Sequence, residues 1–122
     1  MSDLKALVPM AHVASVPRSI AFYAKLGFTT DNTFTPPGRQ EPVWAWLKAG
    51  GANLMVTLAD GPIDDSQQGI LFYMYTPDVK AYRETLVAAG VEAGPIQHRF
   101  YAERGEFRFT DPDGDVLLAM NT

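Results

Sequence analysis

The sequence contains no cysteine, and this absence excludes disulfide bonds, thiolate nucleophiles and thiolate metal sites together. Basic residues are also few: 10 Lys and Arg stand against 14 Asp and Glu, for a formal net charge of -4 at pH 7, and they form no run. This balance provides no electrostatic footprint for a phosphate backbone, so we do not expect nucleic acid as a partner.

Long apolar stretches are missing too. No run approaches the length needed to span a bilayer, and the N-terminal MSDLKALVPM lacks the basic and apolar regions of a secretory signal. We therefore expect a cytoplasmic protein with no membrane partner. At 122 residues and 47% hydrophobic content, the chain is most simply one domain, 1–122, with a real core.

The two halves of the chain share a layout. The stretches ALVPMAHVASVPRSIAFYAKLGF and GILFYMYTPDVKAYRETLVAAGV each read as a strand, a cap residue and a helix-period run that ends at glycine. Gly27 and Gly90 differ by 63 positions, as do Val16 and Val79. The repeat predicts an α+β chain of two tandem βαβββ modules, about 4–59 and 67–122. A half of about 60 residues is only marginally stable alone, because it buries too little of its surface. We therefore expect the halves, or halves from two chains, to share a sheet.

Helix boundaries follow from short signals. Ser15 and Asp78 are predicted N-caps because their side-chain oxygens can accept from unpaired backbone N–H groups in the first turn. Gly27 and Gly90 stand where a helix ends in a left-handed residue.

Two tandem βαβββ units, with SVPRSIAFYAKLGF in the first and FRFTDPDGD closing the second, resemble the vicinal oxygen chelate superfamily. That superfamily includes glyoxalases, extradiol dioxygenases, fosfomycin-resistance enzymes and bleomycin-resistance proteins. The resemblance covers nearly the whole chain. It implies the glyoxalase/bleomycin-resistance fold, in which curved mixed sheets surround a cup, with metal ligands on the first and last strands of each unit. It also implies a homodimer, with each cup built within one chain or across two.

The resemblance carries the four metal-ligand positions onto Val8, Met55, Leu71 and Leu118. All four are apolar, and such side chains offer almost nothing to a hard or borderline cation. We therefore predict no metal and no cofactor. A relocated site that uses His12, His98 and a carboxylate is the alternative.

Strand alternation then assigns the neighbours of these positions to the cup or to the helices. The cup-facing set adds Met10, His12, Asn53, Thr57, Tyr73, Tyr75, Val116 and Met120. The opposite set, suited to packing under the helices, is Ala11, Val13, Leu54, Val56, Phe72, Met74, Leu117 and Ala119.

In EFRFT, Phe107 and Phe109 alternate with Glu106 and Arg108. If the phenylalanines lie under the helix, Arg108 points into the cup, and His98 from the preceding strand is expected to reach the same region. The resemblance to fosfomycin-resistance enzymes implies a cationic residue at about this position. The alternative is that Arg108 forms an ion pair with Glu106 or Asp111.

The same offset places Trp44 and Trp46 opposite the two phenylalanines, with Ala45 opposite Arg108. We expect both tryptophans in the core, with stacking on a planar ligand as the alternative. His12 is expected to be solvated or to cap a helix. The predicted ligand-binding residues are Met10, Asn53, Met55, Leu71, Tyr73, His98, Arg108 and Leu118.

Three functions remain open from the sequence. The favoured one is a metal-free, non-catalytic binder that sequesters an amphipathic or aromatic, antibiotic-like molecule. The second is an enzyme of the glyoxalase, dioxygenase or another lyase or isomerase type. It would use a relocated metal, or His98 as a base with Arg108 stabilising an anion. The third is a dimerisation or interaction module whose cups are filled by their own side chains.

Overall fold

A computed structural model describes residues 3–122. The chain divides into two compact units, the first ending at Ile63 and the second spanning Asp64–Thr122. The first unit contains β1 (Met10–Val13), α1 (Val16–Lys25), β2 (Thr29–Phe34), β3 (Trp44–Ala49) and β4 (Ala52–Leu58). The second contains β5 (Leu71–Thr76), α2 (Val79–Ala88), β6 (Gln97–Arg99), β7 (Ala102–Thr110) and β8 (Val116–Asn121), preceded by a 3-10 turn at Asp65–Gln67.

Each unit forms one four-stranded mixed sheet. The strand orders are β1-β4-β3-β2 and β5-β8-β7-β6. The first strand of each unit pairs in parallel with the last, and the other pairs are antiparallel. The structure confirms the predicted α+β fold of two βαβββ modules. The division into one domain with two repeats stays a prediction.

The helices begin and end where the sequence predicts. The Ser15 hydroxyl accepts from the Arg18 backbone N–H at 3.2 Å, and the Asp78 carboxylate accepts from that of Ala81 at 3.0 Å. Gly27 and Gly90 have φ of 107° and 89°, a left-handed conformation that other residues adopt only with strain.

One face of each sheet packs under its own helix. In the first unit Val13, Leu54 and Val56 are buried, and in the second Leu117 and Ala119 are. The other members of the predicted helix-facing set, Ala11, Phe72 and Met74, are half-buried. Each large side chain buried in this way contributes about 1.5–3 kcal/mol. Burial alternates along β4, whereas β8 is buried on both faces from Val116 to Ala119.

The third strands of the two units do not follow the predicted offset. Trp46 pairs with Met55, whereas Arg108 pairs with Leu118, so Trp46 and not Ala45 occupies the place that corresponds to Arg108. The prediction that the tryptophans lie opposite Phe107 and Phe109 is therefore wrong.

The cause of this shift is the turn that follows each third strand. Lys48 pairs with Asn53 across the four residues 49–52, but Thr110 and Val116, which occupy the corresponding positions, pair across the five residues 111–115. The difference changes the register by one residue, and a one-residue slip moves every side chain of a strand to the opposite face.

For residues 3–122, neither helix has the length and hydrophobicity needed to cross a membrane.

Candidate ligand-binding site

The second unit contains a cavity of about 460 Å³ on the face of its sheet. Strands β5, β7 and β8 form its floor, β6 lies at one side, and the segment before β6 contributes a wall. The lining residues are Leu71, Tyr73, Gly94, Pro95, Gln97, Arg99, Tyr101, Glu106, Phe107, Arg108 and Leu118.

Four of the predicted ligand-binding residues border this cavity: Leu71, Tyr73, Arg108 and Leu118. Three of them form a row across adjacent strands, because Tyr73 pairs with Leu118 and Leu118 pairs with Arg108. Leu118 is 8% exposed, whereas Leu71 is 56% exposed. The row therefore has a buried apolar centre between a phenol and a guanidinium.

Three other predicted residues belong to the first unit. Met10 pairs with Met55, which pairs with Trp46 on β3. The indole Nε1–H of Trp46 donates to Asn53 Oδ1 at 2.9 Å. Asn53 therefore fixes the orientation of the indole, a role that the sequence did not indicate.

Trp44 and Trp46 lie on this same face and are half-buried. The residues that β3 directs to the core are Ala45 and Leu47, which are 0% and 1% exposed. The expectation that both tryptophans are core residues is wrong, and the one-residue register shift of the third strand is the reason.

His98 does not border the cavity. Its neighbours Gln97 and Arg99 do, and its own ring lies on the other side of the strand. A side chain at Gly105 would bring its Cβ within 3.3 Å of His98 Cε1 and 3.5 Å of Val79 in α2. The prediction that His98 reaches the region of Arg108 is therefore corrected, because β6 directs it towards the helix.

Nδ1 of His98 lies 2.8 Å from the Glu103 carbonyl oxygen. The partner of the imidazole is therefore in the hairpin formed by β6 and β7, and not in the cavity. The enzyme hypothesis placed His98 beside Arg108 as a base, and His98 is not among the residues that line the cavity.

The most buried polar group of the cavity is Glu106, which is 4% exposed. Its Oε2 accepts from the Tyr101 hydroxyl at 3.3 Å and lies 3.8 Å from Arg99 Nε. Its Oε1 is buried and has no hydrogen-bond partner. The alternation in EFRFT predicts Glu106 on the face of Arg108, but Glu106 is not among the predicted ligand-binding residues. A carboxylate in mid-strand on the cup-facing side was the available signal.

Arg108 is exposed, and in the chain from residue 3 onward it forms no ion pair. The alternative in which Arg108 pairs with Glu106 or Asp111 is therefore not what the structure contains. Arg108 lines the cavity, and a guanidinium has five N–H donors that a carboxylate or another acceptor can bind.

Tyr73 adds an aromatic surface at the cavity edge. Its ring stacks with that of Tyr75, with centroids 6.4 Å apart and planes at 26°. Partial desolvation, followed by the charge of Glu106, raises the pKa of the Tyr73 phenol above its ordinary value. At neutral pH the phenol is therefore an uncharged group that can both donate and accept.

Arg83 fixes the wall before β6. Its Nε and Nη2 donate to the carbonyls of Gly94 and Ala93 at 2.7 and 3.0 Å. The Gly94 N–H in turn donates to the Arg108 carbonyl at 2.8 Å. A Cβ at Gly94 would lie 3.1 Å from that carbonyl oxygen. This close approach sets the distance between the wall and β7.

The metal-ligand positions implied by the resemblance do not form a metal site. They carry Val8, Met55, Leu71 and Leu118, and none of these side chains offers an oxygen or nitrogen donor. In the described part of the chain, no group of three or more His, Cys, Asp or Glu could hold a metal ion. These residues therefore do not fit a divalent cation, and nothing supports the relocated site at His12 and His98.

Comparison with known proteins agrees with this fold. Residues 8–117 match the family model for the Glyoxalase/Bleomycin resistance protein/Dioxygenase superfamily. A bleomycin resistance determinant encoded on transposon Tn5 is similar, with a TM-score of 0.78, 17% identity and 98% of each chain covered. A bleomycin-binding protein complexed with bleomycin has a TM-score of 0.77, 17% identity and coverage of 98% of this chain and 99% of that one.

A third similar structure is TnmS3, an antibiotic binding protein from Streptomyces sp. CB03234. It has a TM-score of 0.75, 23% identity and coverage of 99% of this chain and 98% of that one. No curated protein is significantly similar in sequence.

Proposed function

Because the chain belongs to the Glyoxalase/Bleomycin resistance protein/Dioxygenase superfamily, we propose that it binds a small amphipathic or aromatic molecule in the cavity of its second unit, without a metal and without catalysis. The observation that carries this proposal is the composition of the cavity. Apolar Leu118 forms its centre, and Glu106, Arg108 and Tyr73 surround it. Small-molecule sites combine an apolar lining with a few convergent polar groups in this way, at volumes of about 300–1,000 Å³.

The driving force would be burial of the ligand's apolar surface, at about 25 cal/mol per Å². Leu71 and Tyr73 are 56% and 38% exposed, so both have surface left to bury against a ligand. A planar ring stacked on Tyr73 would add about 0.5–1.5 kcal/mol beyond area burial. The polar groups then orient the ligand, since each can form a directional bond.

Two similar structures are named for binding antibiotics, and we extend the proposal to an antibiotic-like ligand held by sequestration. The apolar residues at the four inherited ligand positions support a metal-free mode. The displacement of His98 from the cavity favours a binder over acid–base chemistry. We also propose a cytoplasmic location, which suits a chain without cysteine.

We further propose a homodimer, because Met10 and Phe34 are 50% and 54% exposed and leave apolar surface for a second copy to cover. Sedimentation at micromolar concentration should give twice the chain mass, and a monomer would contradict the proposed dimer.

The test is to fill the cavity from its floor. In Leu118→Trp the larger ring occupies the space of the ligand. In a panel of aromatic antibiotics, bleomycin among them, those that raise the unfolding temperature of the native chain should therefore not raise that of the variant. The matched control is Leu117→Trp, because Leu117 is the adjacent residue on β8, is 1% exposed and faces the helix. Overpacking there should lower stability by about 1–3 kcal/mol.

The proposal fails if no member of the panel shifts the unfolding temperature of the native chain. It also fails if Leu118→Trp retains the shifts, since the ligand would then bind elsewhere. Marked unfolding of Leu118→Trp would indicate that Leu118 is a core residue of a filled cup, as the interaction-module hypothesis predicts.

A further inference from the structure

We propose that this cavity selects ligands that carry a hydrogen-bond donor next to an acceptor or anionic group, with the donor bound by Glu106 and the acceptor by Arg108. A zwitterion such as an aromatic amino acid derivative is the simplest member of this class. The inference rests on the proposed function, because it assigns a ligand class to the same cavity.

Glu106 would bind the hydrogen-bond donor of the ligand. A carboxylate can accept about four hydrogen bonds, and this one accepts only at Oε2, from Tyr101, with Arg99 nearby. Oε1 has no partner in a residue that is 4% exposed. A buried acceptor without a partner bears the full desolvation penalty, and a bond to an ionised group is stronger than one between neutral groups. A ligand N–H that bonds to Oε1 would therefore offset the desolvation cost of this oxygen.

Arg108 would bind the acceptor or anionic group of the ligand. It lies two residues further along β7 on the same face, so its backbone is about 7 Å from that of Glu106. It is exposed and has no ion pair among residues 3–122, so its guanidinium can receive a carboxylate in a bidentate arrangement. Both side chains line the same cavity, so one small ligand can contact the two of them together.

The charges around the cavity exclude the simpler alternatives. A ligand with only a cationic group meets Arg99 and Arg108 as well as Glu106, and a ligand with only an anionic group meets the buried carboxylate. Specificity arises from such mismatches as much as from attraction. A group with both functions satisfies Glu106 and Arg108 together, and it leaves neither facing a like charge.

The experiment compares four probes that share a naphthalene ring, by calorimetric titration of the full chain. They are 3-(2-naphthyl)-L-alanine with both groups, 2-naphthylmethylamine with the donor, 2-naphthoate with the acceptor, and 2-methoxynaphthalene with no donor and no charge. We expect the zwitterion to bind at least tenfold more tightly than each of the other three, which corresponds to about 1.4 kcal/mol.

Two variants assign the preference to its residues. Glu106→Gln should remove the preference for the zwitterion over 2-naphthoate, and Arg108→Met should remove the preference over 2-naphthylmethylamine. The matched controls are Glu103→Gln and Lys80→Met, since both side chains are exposed and neither borders the cavity. The two control variants should bind all four probes as the native chain does, and retained binding of 2-methoxynaphthalene in Glu106→Gln and Arg108→Met would report that the cavity is intact.

The outcomes separate this inference from the proposed function. Equal affinities for the four probes, or a zwitterion preference that survives Glu106→Gln, would overturn the ligand class and leave the cavity as a binding site. Binding of no probe would count against the cavity itself. The ranking in the native chain decides the question even if a variant fails to fold.

Discussion

The two units of this chain use the same strand framework but present different chemistry on the open face of the sheet. In the first unit the central row is Met10, Met55 and Trp46, and in the second it is Tyr73, Leu118 and Arg108. Beside these rows, Trp44 pairs with Thr57, whereas Glu106 pairs with Met120.

Within the central rows the largest chemical difference lies on the third strand, because the first- and last-strand positions carry Met10 and Met55 in one unit and Tyr73 and Leu118 in the other. Two indoles in one unit replace a carboxylate and a guanidinium in the other. The face of the first unit is therefore suited to apolar or stacking contacts. That of the second is suited to polar recognition around an apolar floor.

The largest expected effect concerns the turns that create this difference. Gly114 has φ of 87°, and a Cβ there would lie 2.5 Å from Asp65 Cβ and 2.7 Å from its carbonyl oxygen. Gly51, its counterpart in the repeat, has no positive φ, and a Cβ there would meet no atom within 4 Å. Gly114→Ala should cost about 3 kcal/mol of unfolding free energy, because strain and a backbone clash add.

Gly51→Ala is the matched control for that measurement and should change stability by about 0.5 kcal/mol or less. Urea unfolding of both variants checks the comparison. Equal costs at the two positions would mean that the 111–115 loop does not constrain the register of β7 more than the short turn constrains β3.

The next effect concerns the third strands themselves. Trp46→Ala should destabilise the chain by about 2 kcal/mol, less than a fully buried tryptophan would. The reasons are that Trp46 is half-buried against Met55 and that its loss leaves Asn53 Oδ1 without the indole donor. Arg108→Ala, at the corresponding position, should change stability by about 0.5 kcal/mol or less, because the side chain is exposed and forms no ion pair in the described range.

Chemical denaturation of the two variants, together with probe titration, separates these roles. We expect Trp46→Ala to lose stability and Arg108→Ala to lose binding. A large loss of stability in Arg108→Ala would mean that Arg108 supports the fold of the sheet instead of a ligand.

The sequence predicted the parts of this structure that depend on local signals. Caps at Ser15 and Asp78, the left-handed glycines and the alternation of buried residues in β4 all depend on near neighbours, and all are confirmed. The offset of 63 also holds for the first and last strands, since Met10 pairs with Met55 as Tyr73 pairs with Leu118.

What could not be predicted depends on turns and on tertiary contacts. The length of one turn decided whether Trp46 or Ala45 corresponds to Arg108, and the repeat in the sequence does not record where a loop closes. His98 lies on a three-residue strand with an irregular register between Gln97 and Arg99, so alternation from neighbouring strands did not fix its side. The burial of Glu106 follows from the wall and hairpin around it, and no local pattern reports that.

The smallest expected effect again contrasts the two units, at the start of their last strands. Asp115 occupies the position of Ala52 in the first unit, and it is 6% exposed. Its backbone N–H donates to Asp111 Oδ1 at 2.9 Å. Burial, followed by the charge of Asp111, raises the pKa of Asp115 to about 7 from an ordinary value of 3.8. The folded chain therefore binds more protons than the unfolded chain between these values, so stability should fall as pH rises from about 4 to about 7.

Asp115→Asn removes this titration while it keeps the size of the side chain and the backbone bond to Asp111. We expect the variant to be more stable than the native chain by about 1 kcal/mol at pH 8. At about pH 4 we expect little difference, because the folded native chain then holds Asp115 protonated and uncharged, like the asparagine of the variant. Urea unfolding at the two pH values checks this, with Asp60→Asn in the first unit as an exposed control. A variant that is less stable at pH 8 would mean that the ionised carboxylate stabilises the 111–115 loop. The conformation of the longer turn in the second unit would then depend on charge as well as on backbone geometry.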